Sequence, residues 1–278
     1  SNYAEDLRID NTILIQHAES YRKIRNTFRF ILGNIKDNFE KQDLKKIDLN
    51  SFSELERYIL SRLFNLDQTI KENLKNYNFH RLYKELLNFC TLELSSFYFD
   101  IRKDVLYCDD LSSKKRKDCI IILNIILECL LKWMAPIFVF TTEEIFNLLN
   151  KNENSIHETA FPEIPSEWEN SDLTKKWEDL YQIKQEVNIA IEEKRTNKEI
   201  GSSLEANVTI TLSEKKFELL ESLDLEEYFI ASKVKKIKNK NKDEDKSKIL
   251  VEKSTGKKCT VCWKILDEKC ERKHCGIN

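Results

Sequence analysis

The sequence predicts a mainly α chain in which a helical bundle is followed by a small α+β junction and a C-terminal cysteine knuckle. Three observations carry this reading. The 278 residues include only four glycines and three prolines, too few for an all-β protein that turns every 8–12 residues or so. Apolar residues recur at the helical period through roughly the first two hundred positions. Four of the eight cysteines fall within the last twenty residues. The glycines, Gly33, Gly201, Gly256 and Gly276, never cluster, which excludes a dinucleotide fingerprint or a phosphate-binding loop. Basic and acidic residues number 46 and 48, so nucleic-acid binding has to come from local patches and not from a global field.

The elements follow in order. Ile13, Leu14, Tyr21, Ile24, Phe28, Ile31 and Ile35 mark a first amphipathic helix. Ser53 and Glu56 have the spacing of a capping box, ahead of a stripe of Leu55, Ile59, Leu63, Leu66, Ile70 and Leu74. A third helix carries Phe79, Leu82, Leu86, Cys90 and Leu94. The fourth runs from about Ser113 to Met134 and stops ahead of Pro136. Thr141 with Glu144 is expected to cap a short fifth helix through Leu149, and Leu173 to Ile191 marks a sixth. Then the period changes: Leu204, Ala206, Val208, Ile210 and Leu212 alternate with polar residues, as in a half-buried strand. A short helix is expected near 214–223. Residues 232–248 hold eight lysines and three acids, which reads as a solvated loop or an RNA-contacting segment. Lys248–Glu252 reads as a second strand.

The strongest chemical signal is Cys259-x2-Cys262 followed by Cys270-x4-Cys275. Zinc takes four soft ligands in a tetrahedron, and a segment this short needs metal to fold at all. Four closed ligands make the ion structural, with no open position for water. Free surface thiols are the plain alternative, a redox Cys-x-x-Cys lacks its βαβ context, and His274 is an alternative ligand to one thiol. Cys90, Cys108, Cys119 and Cys129 are scattered along helical sequence, the distribution of a reducing, cytoplasmic compartment. Ser1–Asp10 contains Glu5, Asp6 and Arg8, unlike a secretory signal. The apolar stretch Cys119–Phe140 is interrupted by Asn124, Glu128, Lys132 and Pro136, which suits a buried helix and not a membrane span. No catalytic motif is present, and His17, His80 and His157 are isolated surface or packing residues. Arg22, Arg25, Arg29 and Lys36 form a basic stripe beside the first apolar one. It can pair with neighbouring acids or lie along a phosphate backbone.

Several segments resemble, from end to end and in order, the C-terminal half of the bacterial-type isoleucyl-tRNA synthetases, class I aminoacyl-tRNA synthetases. They are Asn2–Ile9, Tyr21–Phe30, Ser96–Asp104 with Leu106 and Tyr107, Trp133–Pro136 with Phe140–Glu144, Glu186–Asn188, Gly201–Ala206 and Lys258–Trp263. The Trp-Met-Ala-Pro and Thr-x-Glu-Glu patterns are shared with the valine and leucine enzymes; the Phe-Tyr-x-Asp-Ile-x-Lys-Asp string and the Cys-x2-Cys-Trp knuckle point to isoleucine. Two positions depart from the family pattern: Val105 stands where arginine is usual, and the second cysteine pair is widened by two residues.

The resemblance implies a division into a tail of the catalytic-domain connection (1–12), an anticodon-binding bundle (13–196), an α+β junction (197–254) and a zinc knuckle (255–278). It implies tRNA(Ile) as partner, with no membrane or DNA, for a monomer. Arg22, Arg25, Arg29 and Trp263 are the expected RNA contacts, and Cys259, Cys262, Cys270 and Cys275 the ligands of one zinc. The parent would join isoleucine to tRNA with ATP and magnesium, whereas this chain lacks the two ATP-binding signatures and would form no adenylate alone. The rival readings are a helical protein-interaction module with a zinc knuckle, or the matching part of a valyl-type synthetase.

Overall fold

A computed structural model describes residues 6, 9–35, 39–149, 155–239, 247–268, 270 and 272. The chain divides into two compact units, residues 1–99 with 114–170, and residues 100–113 with 171–278. Among the described residues no helix is long and apolar enough to cross a membrane.

The first unit is helical. Helix α1 (Asn11–Ile35) buries Ile24, Phe28, Ile31 and Ile35, while Leu14 near its start stays exposed. Helix α2 (Glu54–Lys75) begins after Ser53, whose hydroxyl donates to the carboxylate of Glu56. Glu56 is buried and also accepts from the Tyr98 hydroxyl at 3.3 Å. Helix α3 (Phe79–Asn88) does not end where its stripe suggests. It continues as a π-helical segment, Phe89–Tyr98, and then as α4 (Phe99–Cys108). The widened turn is matched by two hydroxyls that reach carbonyls five residues back, Ser95 to Cys90 at 2.8 Å and Ser96 to Thr91 at 2.9 Å. A period of 3.6 gives no hint of such a segment. Glu93 within it holds Arg62 of α2 through two bonds, at 2.8 and 2.9 Å.

Helix α5 (Lys114–Met134) is buried nearly all round, from Cys119 to Met134. That is why this stretch is the most apolar in the sequence: a helix surrounded by others has no wet face to keep polar. Helix α6 (Val139–Leu149) starts two residues before the expected cap. Thr141 therefore lies inside the first turn, and its hydroxyl hydrogen-bonds that of Tyr21 at 2.8 Å.

The second unit is built on α7 (Ser171–Thr196), α4 from Asp100 onwards, and a three-stranded sheet. Strand β1 (Ala206–Leu212) is central, with Ala206, Val208, Ile210 and Leu212 fully buried. After α8 (Glu214–Leu219), which accounts for the short helix expected near 214–223, comes α9 (Leu225–Phe229), which the periodicity did not predict. The lysine-rich segment is not simply a loop. Lys233–Lys238 forms β2, parallel to β1, with Val208 opposite Val234 and Thr211 opposite Ile237. Lysine is tolerated there because its stem is apolar: the Lys236 and Lys238 ammonium groups lie 4.2 and 5.2 Å from the Phe217 ring centroid. Strand β3 (Lys248–Lys253) closes the other edge antiparallel to β1.

Two buried cations anchor this unit. Arg102 of α4 pairs with Glu227 of α9 at 2.7 Å, the side chains 3% and 9% exposed. Lys184 of α7 donates to the carbonyl of Tyr228 and lies 5.2 Å from that ring's centroid. Desolvation pushes its amine down to about 8, with Asp100 opposing the shift and Lys103 adding to it. Below about pH 8 this lysine is protonated in both the folded and unfolded chains, and its burial cost is constant. Between about pH 8 and 10.5 the unfolded chain keeps a proton that the folded chain has released. Stability from this group then rises with pH, by about 3 kcal/mol across the window. Urea unfolding of the wild type and Lys184→Met near pH 7.5 and pH 10 should show that the variant lacks this rise.

Candidate metal centre and nucleic-acid interface

The knuckle is a short antiparallel hairpin, β4 (Lys257–Lys258) with β5 (Ile265–Leu266), pairing Lys257 with Leu266 and Lys258 with Ile265. Gly256 precedes it at φ +135°, and a Cβ there would lie 2.4 Å from the Leu266 carbonyl oxygen. Only glycine lets the two backbones approach so closely. Across the tip, the Cys259 N–H donates to the Lys264 carbonyl at 2.9 Å and the Trp263 N–H to the Cys259 carbonyl at 3.0 Å. The second of these turns the chain back directly after Cys262, and Trp263 takes up a left-handed conformation, φ +64°. A non-glycine residue held there is strained. The hairpin is tied to the sheet by Ser232, whose hydroxyl accepts from the Ile265 N–H at 2.6 Å and donates to the Leu204 carbonyl.

The hairpin brings three thiols together. The sulfurs of Cys259, Cys262 and Cys270 all lie within 4.8 Å of one another, and those of Cys262 and Cys270 are 4.0 Å apart. A tetrahedral zinc with Zn–S bonds near 2.3 Å separates its sulfurs by about 3.8 Å. The donors are thus spaced for a soft metal and too far apart for a disulfide. Burial pushes the Cys262 thiol up, so a thiolate at this position calls for a cation beside it. The expected fourth ligand, Cys275, and its alternative, His274, lie outside the described residues.

Trp263 is 60% exposed at the knuckle tip. Together with Tyr107 of α4, 59% exposed, it lines a cavity of about 380 Å³ that Ile101, Leu204, Ile230 and Val261 make largely apolar. On α1 the basic stripe is exposed. Arg22 pairs with Glu19 on its own helix, whereas Arg25 and Arg29 have no ion-pair partner among the described residues. Lys36 lies outside them. His17, His80 and His157 are exposed.

The sequence reading missed the charged residues behind the knuckle. Asp104 of α4 is 2.7 Å from Arg272 and 3.5 Å from Lys264, and Asp109 is 3.8 Å from Arg272. Burial works against the Arg272 charge, but Asp104 and Asp109 outweigh it and hold the guanidinium still further into its charged range. The available signal was the charge density of Asp100–Asp104, which periodicity alone does not assign to a partner.

One unit is a helical bundle and the other carries a sheet and a thiol knuckle; the comparisons define the class of the chain. Residues 56–210 match the family described as the anticodon-binding domain of tRNA ligase, and the chain belongs to that family. Its relatives point to one amino acid. The chain is 55% identical over 272 residues to the isoleucine–tRNA ligase of Pelagibacter ubique, covering 98% of this chain and 30% of that protein. The isoleucine–tRNA ligase of Mesorhizobium japonicum is 39% identical over 84% of this chain and 23% of its own length. That of Natranaerobius thermophilus is 37% identical over 95% and 30%. The chain thus spans about a third or less of the length of these curated relatives.

The close approach at Gly256 gives a direct test. Gly256→Ala should open the hairpin, costing more than about 1 kcal/mol, and weaken the chain's hold on added zinc. Competition of the variant and the wild type for zinc against a chromogenic chelator would measure this.

Proposed function

We propose that this chain is the tRNA-gripping part of an isoleucine–tRNA ligase, with tRNA(Ile) as its partner. What supports the reading is the joint occurrence of the anticodon-binding family match and similarity to isoleucine–tRNA ligases along nearly the whole chain. In this reading Arg22, Arg25 and Arg29 face the phosphate backbone of the anticodon stem-loop. Trp263 offers a stacking surface to an unpaired base, the usual way single-stranded RNA is read. Cys259, Cys262, Cys270 and Cys275 hold one zinc ion. Bound by four thiolates, zinc supplies folding energy to the knuckle and no open coordination position. Adenylate formation with ATP and magnesium is the task of other parts of the ligase, and this chain contributes no catalytic residue. The functional division is a connecting tail (1–12), the bundle (13–196), the junction (197–254) and the knuckle (255–278). In this reading the protein works in the cytoplasm as a monomer, with no membrane or DNA partner.

Metal analysis of the purified chain should give about one equivalent of zinc, lost in the Cys259→Ser, Cys262→Ser double variant. Unchanged zinc in that variant would remove these cysteines from the ligand set. The arginines have their own test. Arg25→Ala or Arg29→Ala should weaken tRNA binding and lower the slope of log affinity against log salt by about one unit. Arg22→Ala should do the same with a smaller loss of affinity, because Glu19 already shares its charge. Variants that keep both affinity and slope but melt at lower temperature would assign the stripe to structure.

A further inference from the structure

Helix α4 meets the cysteine loop twice. On the charged side, one oxygen of Asp104 faces two cations, Arg272 at 2.7 Å and Lys264 at 3.5 Å. These cations come from the two halves of the loop: Lys264 lies two residues after Cys262, and Arg272 two residues after Cys270. The three side chains are between 13% and 30% exposed, so water screens them less than it would a surface pair. On the apolar side, one turn further along α4, buried Cys108 packs against Cys262, with Cys259, Val261 and Cys270 around them. Neither Asp104 nor Cys108 belongs to the three-thiol set.

A metal ion closes such a loop upon itself, and Ser232 ties the base of its hairpin to the sheet, but neither fixes how the tip leans against α4. That direction matters for Trp263, which sits at the loop tip beside Tyr107 of the same α4. We propose that Asp104 is a positioning residue: by holding Lys264 and Arg272 together against α4, it sets the direction in which Trp263 is presented to RNA. This rests on the reading of Trp263 as an RNA contact. Ser232 ties the base of the hairpin to the sheet, the cysteines gather at the metal site, and Asp104 sets the lean of the tip against α4.

The test exploits the tryptophans. Trp133, Trp168 and Trp177 are buried, leaving Trp263 as the exposed one, so the acrylamide-quenchable fluorescence reports on the knuckle tip. In the 278-residue chain, Asp104→Asn should retain wild-type zinc content while the quenchable component gains a fast anisotropy decay. Its affinity for a tRNA(Ile) transcript should fall roughly tenfold, the scale of one lost stacking contact. Asp104→Glu should restore most of both. A paired variant, Lys264→Gln with Arg272→Gln, should reproduce the anisotropy change, and it decides the matter if Asp104→Asn does not fold. Wild-type anisotropy in either variant would overturn the proposal, as would loss of zinc in Asp104→Asn, which would make Asp104 part of metal retention. Trp263→Ala separates the two readings. If it binds tRNA like the wild type, the RNA role of Trp263 fails, while the anisotropy result still decides what Asp104 does.

Discussion

A guanidinium cannot be buried without a counter-charge, and the second unit is arranged around that constraint. Arg102 and Glu227 are enclosed together. Removing either partner of such a pair strands the other and costs about 3–5 kcal/mol, whereas replacing both can be neutral. The pair's worth is therefore less in net stability than in fixing α9 against α4. From α9 the chain leads directly into β2, β2 aligns on β1, and Ser232 at the start of β2 holds the hairpin that carries the thiols.

The first unit solves a different problem by different means. Its central helix α5 is buried over most of its circumference from Cys119 onwards, and its polar side chains are paired within the unit: Glu56 with Ser53 and Tyr98, Arg62 with Glu93. Hydrophobic burial is non-directional and supplies most of the free energy. The directional bonds select one packing among many. In the second unit the core is smaller, and charge pairs such as Arg102 with Glu227 carry more of the specification.

How much of this was legible in the sequence follows from the range of each interaction. The stripe of Ile24, Phe28, Ile31 and Ile35 identifies α1 because helix periodicity is local, and the alternation from Ala206 to Leu212 identifies β1 for the same reason. The cysteine pairs announce themselves by spacing, and three of the four are brought together. Strand β2 was hidden because its lysines resemble solvent-facing sequence until Phe217 is placed beneath their stems. The π-helical turn depends on hydroxyls five residues from their acceptors, a spacing that the helical template does not test. Asp104 was illegible for the opposite reason: its partners, Lys264 and Arg272, lie more than 150 residues away.

The strand order has a consequence for synthesis. The central strand β1 is made first, and its neighbours β2 and β3 flank it only later. Some forty residues separate the end of β1 from the end of β3, so a ribosome adding about 5–20 residues per second leaves β1 without its second edge partner for roughly 2–8 s. Through that interval Val208, Ile210 and Leu212 form a short apolar strand with an open edge, the kind of segment that pairs with the wrong neighbour. The threonines at 209 and 211, alternating with them, leave one face of the waiting strand polar. The nascent chain thus offers a stray strand a single sticky face until its own lysine-bearing strands arrive.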